Sequence, residues 1–147
     1  MQAGRYAEAE KSLRKALEAD PKSTLALLNL GITLNRTKQF SAATVPLREA
    51  LRLQPGLVAG QLHLGIALVE TDQFDEASKY LTRAAKSGGD DEILAQLFLG
   101  KLYARTGEFD KGIAALEFYL QKSPTASNAA EVRGLIERMK KELSARR

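Results

Sequence analysis

The chain has 147 residues, a net charge of +4 and no cysteine. The lack of cysteine excludes disulfides, a zinc–thiolate site and a cysteine nucleophile. A hydrophobic fraction of 44% and a charged fraction of 27% are typical of a soluble globular protein. No apolar run reaches the roughly 18 residues of a membrane-spanning helix, and residues 1–5 hold no apolar core of a signal peptide. The composition leaves the cellular compartment open.

One dipeptide recurs along the chain at a nearly constant interval. Leu30-Gly31, Leu64-Gly65 and Leu99-Gly100 follow one another at spacings of 34 and then 35 residues. A period of about 34 residues indicates stacked helix–turn–helix units, each of which buries its apolar face only against its neighbours. The spacing therefore predicts an all-helical repeat protein.

The first predicted helix covers residues 4–20, because apolar residues recur there at steps of three and four. Asp20-Pro21 ends it, since proline disfavours a helical residue before it. This segment aligns with the second helix of the later units. The first helix of its own unit is missing from the sequence. We expect Met1 to lie inside a longer array; the alternative is a true N-terminus with an uncapped helix.

The next predicted pair covers residues 24–37 and 41–53. Ser23 precedes the first helix and is suited to cap it. Pro46 lies inside the second helix, where proline costs about 3 kcal/mol. We expect a local kink or a late helix start there.

The following pairs are predicted at residues 58–71 with 74–87, and at 92–106 with 109–122. Between them, Gly88 and Gly89 form the softest joint of the array. Asp90 or Asp91 is suited to cap the next helix, whose positive end favours a carboxylate.

A last helix is predicted at residues 127–145, with one apolar stripe and an otherwise charged surface. The stripe consists of Val132, Leu135, Ile136, Met139 and Leu143. An array end needs a helix whose outer face tolerates water. This segment therefore fits the role of a capping helix.

The repeated positions resemble the tetratricopeptide repeat family. The pattern reads Leu27, Leu30-Gly31, Leu34, Phe40, Ala43, Leu47, Ala50 and Pro55 in the first full unit; Gln61, Leu64-Gly65, Leu68, Phe74, Ala77, Leu81 and Ala84 in the second; and Gln96, Leu99-Gly100, Tyr103, Phe109, Gly112, Leu116, Tyr119 and Pro124 in the third. Small residues in these patterns let helix backbones approach closely. The departures, chiefly the two glutamines, Gly89 in place of proline, Gly112 and Tyr119, leave the register intact.

The resemblance implies a right-handed α-solenoid of antiparallel helix pairs. We predict a single domain over residues 1–147, with a half repeat at 1–23, full repeats at 24–57, 58–92 and 93–126, and a capping helix at 127–147.

The resemblance also implies a peptide-binding surface on the concave side, which the first helices line. The candidate groove residues are Leu25, Leu28, Asn29, Ile32, Arg36, Leu62, His63, Ile66, Val69, Leu97, Lys101 and Arg105. The same register includes Asn35, Ala59, Glu70, Leu94, Phe98 and Ala104. The row Leu28, Leu62 and Leu97 and the pair Ile32 and Ile66 are predicted to form an apolar strip, and such strips usually mark interaction sites. The alternative is that curvature or a further helix buries part of it.

One subclass of the family holds the terminal carboxylate of chaperone peptides with a clamp of lysine, asparagine and arginine. Only Asn29 matches that set, so we expect no such clamp. His63 is the single histidine, and we expect it to contact a ligand or lie at the groove rim. No nucleophile motif, phosphate-binding loop or metal-spaced cluster accompanies it. We therefore predict no enzyme activity, cofactor or metal.

Nucleic-acid binding would require a basic stripe on the concave side. The groove positions offer Arg36, Lys101 and Arg105, offset by Glu70, so we expect no nucleic-acid partner. The sequence predicts a non-catalytic scaffold that binds a peptide or partner helix. Alternatively, the chain is the interaction domain of a longer enzyme or of a secretion or assembly component. Self-association through the unpaired N-terminal helix is a further possibility.

Overall fold

A computed structural model describes residues 2–146, which form eight helices. These are α1 Gln2–Ala19, α2 Thr24–Arg36, α3 Phe40–Leu53, α4 Val58–Glu70, α5 Phe74–Ala85, α6 Gly89–Thr106, α7 Phe109–Lys122 and α8 Ala129–Ala145. The predicted place of Met1 inside a longer array lies outside the described residues. The all-helical prediction is confirmed, and each predicted helix is present.

The helices stack as pairs in chain order. α2 packs against α3, α4 against α5 and α6 against α7, and each second helix also packs against the next first helix. The first helices α2, α4 and α6 contact one another in turn, while α1 packs on α2 and α8 on α7. This neighbour-to-neighbour order is that of an α-solenoid.

The repeated glycines set the distance within each pair. A Cβ on Gly65 would lie 2.6 Å from Cγ and Cδ2 of Leu81 in the partner helix. Gly31 faces Leu47 and Gly100 faces Leu116 in the same way. The leucine side chain therefore occupies the space that any larger residue at the glycine would need.

The central helix α4 is covered on nearly every side, because it packs against α2, α3, α5 and α6. Its residues from Gly60 to Val69 are buried, with the single exception of His63. A helix that is apolar all round belongs in a core. α4 thus forms the middle of the main hydrophobic core.

Two local expectations need correction. α3 begins at Phe40 and continues through the buried Pro46, so the alternative of a late helix start is wrong, while a kink at Pro46 stays a prediction. α6 begins at Gly89, with Gly88 before it and no side-chain cap. Gly88 and Gly89 supply the positive φ angles of 77° and 67° that this turn requires. Asp90 and Asp91 instead lie in the first turn, where their charge still favours the helix end.

The predicted Ser23 cap is confirmed, because its hydroxyl accepts a hydrogen bond from the Ala26 amide at 3.2 Å. The capping helix α8 buries Val132, Ile136 and Met139 against α7. The exact repeat boundaries stay a prediction, and α6 begins before the predicted boundary at 92. In residues 2–146 no helix has the length and apolarity to cross a membrane.

Substitution of Gly65 by alanine is expected to destabilise the fold by about 1–3 kcal/mol, because the new methyl group overlaps the buried Leu81. Gly134→Ala is the matched control in α8, since a Cβ there meets no atom within 4 Å. The control is expected to gain up to about 1 kcal/mol of helix propensity. Denaturant unfolding measures both changes. Equal stabilities of the two variants would contradict the close approach.

Candidate functional site

A cleft of about 380 Å³ opens between the first helices on the side of α2, α4 and α6 that holds the predicted groove. It is lined by Ile32, Asn35, Arg36, Lys38, Phe40, His63, Ile66, Glu70, Leu94, Phe98 and Lys101. We call this surface the concave cleft. Its walls are apolar, and its rim carries charges of both signs.

We call the contact between one helix pair and the next a joint. The cleft lies at the first joint, where the pair of α2 and α3 meets the pair of α4 and α5. A comparison with the later joints explains why it is open. Arg105 lies over the Phe74 ring, 5.1 Å from its centroid, and Arg146 lies over Phe109 at 4.4 Å. Each arginine also donates a hydrogen bond to a backbone carbonyl near that aromatic residue: Arg105 to Val69 and Arg146 to Gly107.

At the first joint, the register position of Arg105 holds Glu70, 35 residues earlier. Glu70 and Phe40 both line the concave cleft. An aromatic ring attracts the positive charge of an arginine, and a carboxylate has no such charge. The aromatic residue of the first joint therefore remains part of an open surface.

Asn35 lines this cleft and contains a buried hydrogen-bond acceptor. Its Nδ2 donates to the His63 carbonyl at 2.9 Å, which ties α2 to α4. Its Oδ1 is the one buried side-chain oxygen in residues 2–146 without a hydrogen-bond donor. The residue is only 9% exposed. A buried acceptor left unpaired costs about 1–3 kcal/mol, so a ligand donor that reaches it is favoured.

The rim of the cleft is mostly basic. Arg36, Lys38 and Lys101 line it, against the single carboxylate of Glu70. Lys101 lies 4.9 Å from the centroid of the Phe98 ring, which places both charge and aromatic surface on one wall. The cleft therefore favours a ligand with apolar side chains and negative charge.

The structure brings together nine of the predicted groove residues in this cleft. These are Ile32, Asn35, Arg36, His63, Ile66, Glu70, Leu94, Phe98 and Lys101. Ile66 is itself 7% exposed, so it forms the floor and not the rim. Leu28 is half-buried against the core, while Leu25 and Asn29 are exposed on α2 outside the cleft lining.

Most of the predicted apolar strip is covered. Leu62, Leu97 and Ile66 have exposed fractions of 1%, 4% and 7%, while Leu28 and Ile32 are half-buried. Val69, another predicted groove residue, is fully buried. The neighbouring helices cover α4, and α8 closes over the end of the stack. Arg105 is engaged with the turn and with Asp72, with which it forms an ion pair. The alternative of a partly buried strip thus describes these positions better.

Two cleft residues lie outside the predicted set, namely Lys38 and Phe40. Both belong to the turn and the start of a second helix, where the family register places no ligand contacts. The signal that identifies them is the change from arginine to Glu70 at one register position. Among the described residues, no cluster of three metal-binding side chains occurs.

His63 lies in the wall of the cleft and is largely neutral at pH 7. Its pKa is lowered to about 4, chiefly by burial and also by the nearby Arg36, while Asp91 opposes the shift. Glu70 and Lys101 line the same cleft. The ring therefore presents an uncharged, partly apolar surface to a ligand.

The low pKa of His63 predicts a loss of stability in mild acid. Its folded pKa lies below the unfolded value of 6.5, so the unfolded chain binds the proton more tightly. The contribution of neutral His63 is complete above pH 6.5 and falls as the pH drops toward 4. Relative to His63→Gln, the wild type is expected to lose roughly 2 kcal/mol between pH 7.5 and 4.5. Denaturant unfolding of both proteins tests this, and a pH-independent difference would contradict it.

Comparison with known proteins places this geometry in a family. A family model described as tetratricopeptide repeat matches residues 1–45, and a second of the same description matches residues 62–127. No curated protein matches the chain.

Solved structures of MamA share the fold. A crystal structure of MamA is 27% identical in sequence to this chain, with a TM-score of 0.73. The match covers 97% of this chain and 81% of the MamA chain. A MamA point mutant is 26% identical with a TM-score of 0.79 and the same coverage. MamA MSR-1, at 24% identity and a TM-score of 0.78, covers 97% and 80% and shows the fold alone. With both family models and the helix-pair geometry in agreement, the chain belongs to the tetratricopeptide repeat family.

Proposed function

We propose that the protein is a non-catalytic scaffold that binds a peptide or partner helix in its concave cleft. Membership of the tetratricopeptide repeat family supports the general role of a protein-interaction scaffold. The buried, unpaired Oδ1 of Asn35 within the apolar cleft carries the finer proposal. The same role applies if the chain is the interaction domain of a longer protein.

The cleft specifies the chemistry of its ligand. Ile32, Leu94 and Phe98 offer apolar contacts, and Oδ1 of Asn35 accepts an N–H from the ligand. Arg36 and Lys101 attract a carboxylate, and their attraction is screened at high salt. The ligand is therefore a segment with apolar side chains, a free N–H at its centre and acidic residues toward its ends.

Peptides selected on the wild-type protein from a random library test this proposal. Ile32→Lys is expected to weaken their binding at least about tenfold, because it places a charge on the apolar wall. Arg36→Glu is expected to act in the same direction and to reduce the salt dependence. Lys79→Glu, an exposed residue of α5, is the control. Isothermal titration measures the affinities, and selected peptides that bind all four proteins equally would contradict the cleft as the binding site.

A second role is self-association, which the uncovered face of α1 supports. In the full pairs, Ala43 and Leu47 of α3 are completely buried beneath α2. The corresponding Ala9 and Leu13 of α1 are only half-buried and line an open cleft of about 550 Å³ beside α2. No described residue of α1 is fully buried. We propose that a second copy packs a helix into this α1 cleft.

Self-association predicts a mass above that of the monomer in light scattering. Ala9→Glu places a charge in the α1 cleft and is expected to return the protein to a monomer, as is removal of residues 1–20. Lys15→Glu, an exposed change on the same helix, is expected to leave the mass unchanged. A monomeric mass at every concentration of the wild type would contradict this role.

A further inference from the structure

A second groove lies on the opposite side of α2 from the concave cleft. It encloses about 780 Å³ and is lined by Arg14, Leu17, Leu27, Leu30, Leu34, Ala42, Val45, Pro46, Arg48, Glu49 and Arg52. Residues two positions apart on a helix point about 200° apart, so Leu30 and Leu34 face away from Ile32 and Arg36. We call this surface the outer groove. Its walls are α1 and α3, and α2 forms its floor.

The next groove along the stack has the same construction, with α3 and α5 as walls and α4 as floor. There, Tyr80 of α5 is half-buried against the main core. Arg83 lies 5.7 Å from the centroid of its ring. Glu76, four residues before Tyr80, accepts two hydrogen bonds from Arg48 of the opposite wall, at 2.5 and 2.8 Å. An aromatic ring and a carboxylate thus fill that groove and join its walls.

The outer groove lacks both groups at the equivalent positions. A shift of 34 residues places Pro46 where Tyr80 stands and Ala42 where Glu76 stands. Arg14 corresponds to Arg48, and its ion pair is with Glu10 of its own helix, at 3.1 Å. The arginine is therefore in place, but α3 has no carboxylate at the position of Glu76 and no ring at the position of Tyr80. The one carboxylate that α3 places in the groove, Glu49, pairs with Arg52 of the same helix.

The third groove, with α5 and α7 as walls and α6 as floor, is also filled by a tyrosine. Tyr103 of α6 occupies the register of Leu34 and packs against the main core. Lys111 of α7, at the register of Ala42, lies 5.6 Å from the centroid of this ring. Each of the two later grooves contains its own aromatic residue, whereas no aromatic residue lines the outer groove.

The surface of the outer groove also differs in charge and exposure. Val45 is 70% exposed, at a register where the next unit has Lys79. Arg14, Arg48 and Arg52 line the groove together with the carboxylate of Glu49, and Arg48 is already paired with Glu76. Arg14 pairs with Glu10 within α1, and Arg52 pairs with Glu49 within α3. Both arginines are exposed, and exposed pairs contribute about 0–1 kcal/mol. A carboxylate from outside can therefore replace them at little cost.

From these observations we propose that the outer groove binds an acidic, aromatic helix of a partner protein. The partner inserts a tyrosine or phenylalanine ring between α1 and α3, against the half-buried Leu17 and the exposed Val45, above the buried Leu30 and Leu34. A glutamate or aspartate four residues before the ring pairs with Arg14. The bound helix thus supplies the two groups that Tyr80 and Glu76 supply within the chain. This site is separate from the concave cleft and uses the opposite face of α2.

A capped helical peptide, based on alanine and glutamine with Glu and Tyr four residues apart, is the probe for this site. Matched peptides replace Glu by Gln or Tyr by Ala. Fluorescence anisotropy is expected to give saturable binding of the first peptide, and each replacement is expected to weaken it at least about fivefold. Backbone amide chemical shifts are expected to change at Leu17, Val45 and Arg48. Absence of saturable binding, or equal binding of all three peptides, would overturn the proposal.

Binding to variants of the protein shows where the peptide lies. The double change Ala42→Glu with Pro46→Tyr copies the contents of the next groove and is expected to abolish binding and to raise Tm above that of Pro46→Ala. If the double variant does not fold, Arg14→Glu provides the same test, because Arg14 is exposed and its loss leaves the core intact. Arg5→Glu makes the same charge change on the opposite face of α1 and is expected to bind normally.

The remaining outcomes also decide the matter. Binding that Ile32→Lys removes and Arg14→Glu leaves unchanged would place the peptide in the concave cleft and overturn the outer groove alone. An oligomer of the wild type that the double variant abolishes would identify a second copy as the occupant and overturn the partner helix. Loss of binding in Arg14→Glu with normal binding in Arg5→Glu and Ile32→Lys supports the proposal.

Discussion

The contact between a glycine of each first helix and a leucine of its partner sets the geometry on which the rest of the structure depends. Because Leu81 fills the space beside Gly65, the two backbones lie closer than any other residue at that position would allow. The same contact in each of the three full pairs produces units of equal thickness. Equal units stack with a constant register, and equivalent side chains then meet equivalent surroundings at each joint.

A constant register makes departures from the repeat meaningful. Where each unit carries the same residue, as with the buried Ala43 and Ala77, the position serves the packing. Where one unit differs, the joint changes its surface. Glu70 in place of the arginine that covers the next aromatic residue opens the concave cleft, and Pro46 in place of Tyr80 leaves the outer groove unfilled. Both surfaces flank α2, so the surface of the first full unit differs most from the surfaces of the other units.

The helices and their order could be predicted from the sequence, because period, caps and prolines are local signals. The candidate site could be predicted only in part. Helical register put Ile32, Arg36 and His63 on one face, and all three line the concave cleft, since helical spacing fixes which face a residue occupies. It could not show that Leu62 and Val69 are covered, because their burial depends on helices that pack against α4 from both sides. It also could not show that Arg105 is held by Phe74, a residue 31 positions earlier.

The two surfaces share a charge pattern that the whole chain does not suggest. The net charge is only +4, yet the concave cleft and the outer groove each have three basic side chains and one acidic side chain in their lining. In both, the basic groups surround an apolar floor of low exposure. The basic groups at these rims are mostly exposed, so each attraction to a ligand carboxylate is modest and is screened by salt. Apolar area then supplies most of the affinity, while the arginines and lysines select acidic segments and orient them along α2.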